Sequence, residues 1–301
     1  MNNQLVVGVD IGGTKTHLVA AHGSHLLAER ILQTADWRST DLAANATALA
    51  DMVAILCAGQ APAALAIGAH GCDTDLHCRQ MQDAVSDKIV CPVLVVNDCE
   101  LLVPAAGFSN GIGVVSGTGS IAVARSADGR MLAAGGWGWL LGDEGSAPTL
   151  VRDAARAVRS ALDHGQHNDP LIPMLLAALG LEDPIKLGRR LHEMGDGVAW
   201  GRHAPVVFEA AEAGSAVASA VIDRAGDALA SLVSILIERG ADATHVVAGG
   251  GVIAQQPRLM QAFRTAMATR NPSSHTLLLQ AAPVQGALAL ARRLTTTDPI
   301  H

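Results

Sequence analysis

A chain of 301 residues has room for two domains of ordinary size, each with its own buried core. Half of it is hydrophobic and 16% is charged, which excludes a disordered chain. With 2% aromatic residues and no Tyr, its cores must be built from Ala, Val, Leu and Ile. The formal charge of −7 is interspersed and no Lys/Arg block stands out, so nucleic acid and anionic membranes are not expected partners.

Residues 4–10 predict a buried strand that runs into the glycine turn Ile11-Gly12-Gly13-Thr14. Apolar runs at 16–21 and 26–32, parted by His22-Gly23-Ser24, extend it to a three-stranded antiparallel meander. Leu42, Ala46, Leu49, Val53 and Leu56 form one stripe of a helix over 40–58. A strand at 64–68, a helix near 76–86, a strand at 92–96 and a helix after Asn97-Asp98 complete a β-β-β-α-β-α-β-α order.

The order then restarts. A strand at 111–115 enters Ser116-Gly117-Thr118-Gly119, and strands at 121–125 and 131–134 follow. The stretches VVGVDIGGTKTHLVAAHGSHLLA and GIGVVSGTGSIAVARSADGRMLA carry the same succession of strand, Gly-Thr turn, strand, turn and strand, with their Gly-Thr pairs 104 residues apart. Such a repeat at domain scale predicts two similar lobes with a cleft between them. Helices are expected at 146–164, in pieces between 170 and 213, and at 215–239. A strand at 245–248 enters Gly249-Gly250-Gly251, a helix follows Pro257, and a strand at 276–280 and a helix at 283–294 close the pattern. The lobes are expected to span 1–108 and 109–282, with the helix in 283–301 packing back on the first.

Several motifs carry chemistry. In Asp10-Ile11-Gly12-Gly13-Thr14-Lys15, glycines at a strand end let backbone N–H groups approach a phosphate. Thr14 offers a hydroxyl, Lys15 a charge, and Asp10 a carboxylate for Mg²⁺ through water. A plain hairpin turn has the same look, but Gly117, Thr118 and Gly119 recur at the same point of the second repeat. Two such turns facing one another would clamp a polyphosphate. Gly249 and Gly250 suit either a flat adenine or ribose against the backbone or a tight turn. Asp98 is either a helix N-cap or a general base at a strand end. The loop from Gly135 to Ser146 is glycine-rich around Trp137 and Trp139, a composition that puts backbone and a carboxylate next to a ligand.

The five cysteines (Cys57, Cys72, Cys78, Cys91, Cys99) show neither CxxC nor zinc spacing, which fits reduced thiols in a cytoplasm. The sequence MNNQLVVGVD lacks the layout of a signal peptide, and no run of eighteen apolar residues offers a membrane span.

The pieces GVDIGGTKT, VVNDCE, GVVSGTGS, GGWGWLLGDEGSA and VVAGGGVI resemble, in order, the motifs of the N-acetylglucosamine kinase and BadF/BadG-type ATPase family. The resemblance runs from position 6 to about 290, and its most specific piece is GGWG-x-x-x-GDEGSA. It implies an α/β fold of two ribonuclease-H-like lobes, each βββαβαβα, with ATP and sugar in the cleft. It implies Asp98 as catalytic base, and Asp10, Gly12, Gly13, Thr14 and Lys15 as the first phosphate loop, Asp10 also holding Mg²⁺. Gly117, Thr118 and Gly119 would be the second phosphate loop, and Gly249 and Gly250 would face adenosine. Gly71, Asp73, Asn97, Asp98, Thr118, Gly119 and Asp143 would contact the sugar, and homodimers are common. The sequence departs from the family where a Gly-Pro-Ser-Asn-like sugar loop is usual: here stands Thr34-Ala35-Asp36-Trp37-Arg38. DIGGTK is also similar to the ROK glucokinase signature, but the Cys-rich zinc motif of those kinases is missing. With the first strand expected at residue 4, no helix-turn-helix of the ROK repressor kind is expected before it. The expected activity is transfer of the ATP γ-phosphate to the 6-hydroxyl of N-acetylglucosamine or glucosamine. An ATPase that activates a partner enzyme and a non-catalytic sensor are the alternatives.

Overall fold

A computed structural model describes residues 4–296, in which the duplicated pattern becomes two five-stranded sheets. Strands β1 (Leu5–Ile11), β2 (Lys15–His22), β3 (His25–Gln33), β4 (Ala64–Ala69) and β5 (Val93–Asn97) form the first, in the order β3-β2-β1-β4-β5. Strands β6 (Ile112–Ser116), β7 (Ser120–Arg125), β8 (Met131–Gly135), β9 (His245–Gly249) and β10 (His275–Leu278) form the second, in the order β8-β7-β6-β9-β10. The two orders correspond strand for strand: an antiparallel meander extended by two parallel strands.

Central parallel strands are buried on both faces and so read as unbroken apolar runs. Every residue of β1 is buried except Asp10, which is half-buried near its carboxyl end. Helices Leu42–Leu56 and Asp75–Ser86 cover one face of the first sheet, placing Leu49, Val53, Met81 and Val85 against Val7, Val9, Leu65 and Ile67. The helix Val284–Thr295 covers the other face, with Val284, Leu288 and Ala291 against Val6, Val19, Ala64 and Ala66. Its approach is close: a Cβ on Gly286 would stand 2.0 Å from the Leu101 carbonyl oxygen, so only glycine fits there. The second sheet lies in a larger core shared with helices Ala147–Asp163, Ala216–Glu238 and Pro257–Arg270.

The segment Asp98–Ala105 lies between the sheets. Leu101 packs with Val96 and Ala287 on the side of the first, while Cys99, Leu102 and Val103 pack with Val123 and Val247 of the second. An ion-pair network ties the same segment across the divide. Arg125 on β7 donates through Nε and Nη2 to the two oxygens of Glu100, at 2.6 and 2.8 Å, and through Nη1 to Asp75 at 2.6 Å. Asp75 also accepts the Met131 amide at 3.0 Å, and Glu100 accepts that of Asn97 at 3.1 Å. Burial works against the Arg125 charge, yet the Glu100 and Asp75 carboxylates outweigh it and raise its pKa.

Truncating Arg125 leaves Glu100 buried without its partner. Arg125→Ala is expected to lower unfolding stability by about 3 kcal/mol, the low end for a broken buried pair, because Arg125 itself is 35% exposed. A urea midpoint within error of the parent protein's would show that the network carries nothing.

Candidate active site

Five pieces of chain meet at one mouth: the carboxyl ends of β1 and β4, Asp98 after β5, the turn after β6, and the loop 136–146. The first turn is closed by the Gly12 amide on the Lys15 carbonyl, 2.9 Å, leaving Gly13, Thr14 and Lys15 exposed. Thr34 fixes this turn from below. Its hydroxyl donates to the Gly12 carbonyl at 2.9 Å and lies 2.9 Å from the Thr16 hydroxyl, and its amide reaches the Thr14 carbonyl at 2.8 Å. Trp37 donates its indole N–H to Thr16 Oγ1 at 3.0 Å. The loop that departs from the family pattern is thus fastened to the first glycine turn.

The second turn closes in the same way, the Gly117 amide on the Gly119 carbonyl at 2.9 Å. The Ser116 and Ser120 hydroxyls donate to the Gly145 and Glu144 carbonyls, each at 2.8 Å, which staples the loop 143–146 onto this turn. The third glycine turn packs beneath it. Gly250 holds φ at +102°, and a Cβ there would stand 2.5 Å from the Ser116 carbonyl oxygen. Gly249 is buried against Leu102, so both glycines also serve packing next to the second turn.

The two turns face each other. From Gly13, the direction a Cβ would take meets Thr118 Oγ1 and the His70 ring, all at 3.6 Å. His70 follows β4, its amide on the Ile11 carbonyl at 2.7 Å, and its Nδ1 lies 3.8 Å from Asp98 Oδ2. Asp98 Oδ1 accepts the Cys99 amide at 3.1 Å. Burial pushes the Asp98 carboxyl above its ordinary value, His70 and the Cys99 amide pull against this, and Asp73 adds to it. Asp10 stands nearby: burial, then the Asp98 charge, raises it from 3.8 to about 7. It has no cationic partner among the described residues.

Asp143 completes the constellation. Its backbone is left-handed at φ +56°, its side chain is buried, and Oδ2 lies 3.0 Å from where a Gly119 Cβ would be. Oδ1 is buried without a hydrogen-bond partner. A buried acceptor left open at a strained residue is suited to a ligand hydroxyl. On the same loop Trp139 packs on Trp200 at 4.8 Å between ring centroids, while Trp137 is 75% exposed.

One alternative left open by the sequence is decided, and one expectation changes. The cap of the segment after β5 is Asn97, not Asp98: the Asn97 side chain accepts the Cys99 amide and Glu100 returns to the Asn97 amide. Asp98 shares the Cys99 amide through Oδ1 alone, and its Oδ2 faces His70. Asn97 itself, expected against the sugar, is buried at 1% exposure. Its amide nitrogen goes to the Cys72 carbonyl and to Asp73 Oδ1, at 3.3 and 3.0 Å, so it positions Asp73. Gly71 and Asp73 remain exposed at the mouth. Sequence reasoning left His70 unassigned, although a polar residue between a buried strand and a glycine was the available signal. It also missed Arg125 and Glu100.

With this geometry in hand, likeness to known proteins decides the family. The profile of the BadF/BadG/BcrA/BcrD ATPase family matches residues 7–291. The chain belongs to the BadF/BadG/BcrA/BcrD ATPase family. Within it, the chain is 31% identical over 167 residues to an N-acetylmuramic acid/N-acetylglucosamine kinase of Clostridium acetobutylicum, covering 52% of this chain and 54% of that one. It spans little more than half the length of the curated relatives it matches. A candidate N-acetylglucosamine kinase from Chromobacterium violaceum has the same fold, with TM-score 0.70, 25% identity and coverage of 98% of this chain and 100% of that chain. A ROK family glucokinase from Streptomyces griseus, solved with glucose and AMPPNP, shares the fold at TM-score 0.61 and 21% identity, over 96% and 98% of the two chains. The two-lobed α/β architecture is therefore that of sugar kinases, and no described helix is long and apolar enough to cross a membrane.

The donor set suits ATP with a divalent cation. Burial, and then the charge of the neighbouring Asp98, raise the proton affinity of Asp10, and a cation beside Asp10 would relieve both. The raised Asp10 pKa has a thermodynamic sign. The folded Asp10 holds its proton up to about pH 7 whereas the unfolded one releases it near 3.8, so stability declines as pH rises between those values. Asp10→Asn is expected to be more stable than the parent at pH 8, by on the order of 2–4 kcal/mol, and equal to it near pH 4. Urea unfolding in EDTA at both pH values checks this, and a gain that is the same at each would contradict it.

Proposed function

We propose that this chain is an ATP-dependent amino-sugar kinase that phosphorylates the 6-hydroxyl of N-acetylglucosamine or glucosamine. The observation that carries the reading is the placement of Asp98: a desolvated carboxylate whose Oδ1 shares the Cys99 amide and whose Oδ2 is turned toward His70, at the point where two glycine turns face one another. A raised carboxyl pKa brings a general base closer to the operating pH, which makes it better matched to a sugar hydroxyl.

In this reading Asp98 accepts the proton of the 6-hydroxyl as that oxygen attacks the γ-phosphorus. The backbone of Gly12, Gly13 and Thr14 on one side, and of Gly117, Thr118 and Gly119 on the other, lines the phosphates, and Lys15 adds charge. Asp10 would hold Mg²⁺, which supplies charge neutralisation to the phosphates. Gly249 and Gly250 would border adenosine. Asp143 and Asp73 would accept hydrogen bonds from sugar hydroxyls, with Gly71, Thr118 and Gly119 beside them and Asn97 holding Asp73 in place. His70 keeps the Asp98 carboxylate turned toward the mouth. The lobes, 1–108 with the terminal helix and 109–282, would close on the substrates and exclude water, which competes as acceptor. Homodimerisation and a cytoplasmic location belong to the same proposal.

An activator ATPase of this family would need cysteines that can share a cluster at a dimer interface. Here Cys57, Cys72, Cys78 and Cys99 are buried and Cys91 is half-buried, which favours the kinase. A sensor would have no need of a desolvated base.

Asp98→Asn removes the base and preserves the shape of the side chain. Its kcat for ADP release with Mg-ATP and N-acetylglucosamine is expected to fall on the order of 10²–10⁴-fold, with ATP binding retained. Parent-like turnover would refute the assignment.

A further inference from the structure

His70 follows β4, and both of its backbone polar groups are fixed. Its amide donates to the Ile11 carbonyl at 2.7 Å, and its carbonyl accepts Arg38 Nη2, also at 2.7 Å. Arg38 is half-buried and belongs to a loop that is itself held: Trp37 is bonded to Thr16, and the Ser39 amide to the buried Asn45. The side chain stands apart from this frame. It is 56% exposed, and its ring nitrogens make no hydrogen bond among the described residues. A fixed backbone that carries an unpaired, accessible donor is a pre-organised contact for a ligand.

The two ring nitrogens face different chemistry. Nδ1 lies 3.8 Å from Asp98 Oδ2, too far for a direct hydrogen bond. Nε2, on the other edge of the ring, lies 3.6 Å from the point that a Gly13 Cβ would occupy, and Thr118 Oγ1 lies 3.6 Å from that same point. The imidazole thus reaches from Asp98 into the gap between the two glycine turns. A phosphate in that gap needs side-chain donors, because the Gly12 and Gly117 amides are already engaged in closing their turns. Arg38 is engaged with the His70 carbonyl and Lys15 is exposed on the first turn, whereas the His70 ring adjoins Asp98 and both turns at once. Burial raises the carboxyls of Asp98 and Asp143, and among the groups that pull them down the charge of His70 is common to both.

Resting on the kinase reading above, we infer that His70 is a further catalytic residue, whose Nε2 donates to an oxygen of the γ-phosphoryl group as it passes between the glycine turns. In that step the 6-oxygen of the sugar forms a bond to the γ-phosphorus and gives its proton to Asp98. The bond from this phosphorus to the bridging oxygen breaks, and its electron pair leaves on ADP. His70 keeps its proton throughout. It stabilises the charge spread over the phosphoryl oxygens that lie off the line of attack, where transfer of this kind concentrates its electrostatic demand. Base and phosphoryl donor then come from the ends of two neighbouring parallel strands, β5 and β4, so one sheet fixes their separation.

The test measures single-turnover transfer from γ-labelled ATP to N-acetylglucosamine by the full chain with Mg²⁺. His70→Ala is expected to lower the rate constant about 10²-fold, the low end for a lost donor to transition-state charge because the ring is half exposed. His70→Gln, which keeps an N–H donor, is expected to recover part of that loss. The deciding arm is the Asp98→Asn background. There His70→Ala is expected to cause a similar further loss, because a contact to the phosphoryl group acts without the base. A loss that vanishes in that background would mean that His70 only orients Asp98, and would overturn the inference. Parent-like rates in both His70 variants would overturn it too, leaving the kinase reading intact. Absence of sugar-dependent transfer by the parent protein would remove both.

Discussion

The fork between Arg125 and Glu100 is the constraint on which the site depends. Glu100 is two residues beyond Asp98, and its carboxylate does two things at once: it accepts the Asn97 amide, closing the turn that aims Asp98, and it receives both arms of a guanidinium from the other sheet. Asp98 and the second glycine turn are therefore not placed independently. Burial raises the Glu100 pKa despite the pairing, so the pair contributes position more than stability. Asp75, the third member, brings the start of the helix after β4 into the same arrangement. A hinge between two lobes would have to open around this point, because the packing of Asp98–Ala105 against both sheets leaves it the shared element.

The cleft itself works against stability. Asp10, Asp98 and Asp143 all have their carboxyls pushed up, chiefly by burial, and Asp143 keeps one oxygen without a partner. Bound ligands would offset the cost of three destabilised acids within one mouth: in the proposed reading a cation at Asp10, a hydroxyl proton at Asp98 and a sugar hydroxyl at Asp143. Strain and unpaired polar groups kept at a site, and offset by well-packed cores elsewhere, are the usual trade between stability and activity.

Much of this was legible in the sequence because it is local. Apolar runs, turn glycines and the repeated Gly-Thr pair fix the strands to within a residue or two, and the duplication gives two sheets of matching order. Asp98, Asp10 and both glycine turns meet as their motifs imply. What the sequence hid is non-local or a choice between equals. Arg125 and Glu100 are 25 residues apart on different sheets and leave no periodic trace. Either Asn97 or Asp98 could have capped the next segment, and only Glu100 returning to the Asn97 amide settles it. Arg38 was visible as a departure from a family pattern, but its bond to the His70 carbonyl required the fold.

The most direct measurement follows the terminal phosphate of ATP labelled at the γ position, with N-acetylglucosamine present, and asks where the label ends. The expected product is an acid-stable sugar phosphate ester at the 6-position, formed only when the sugar is present. Label appearing solely as inorganic phosphate, at the same rate with and without sugar, would contradict it and identify an ATPase.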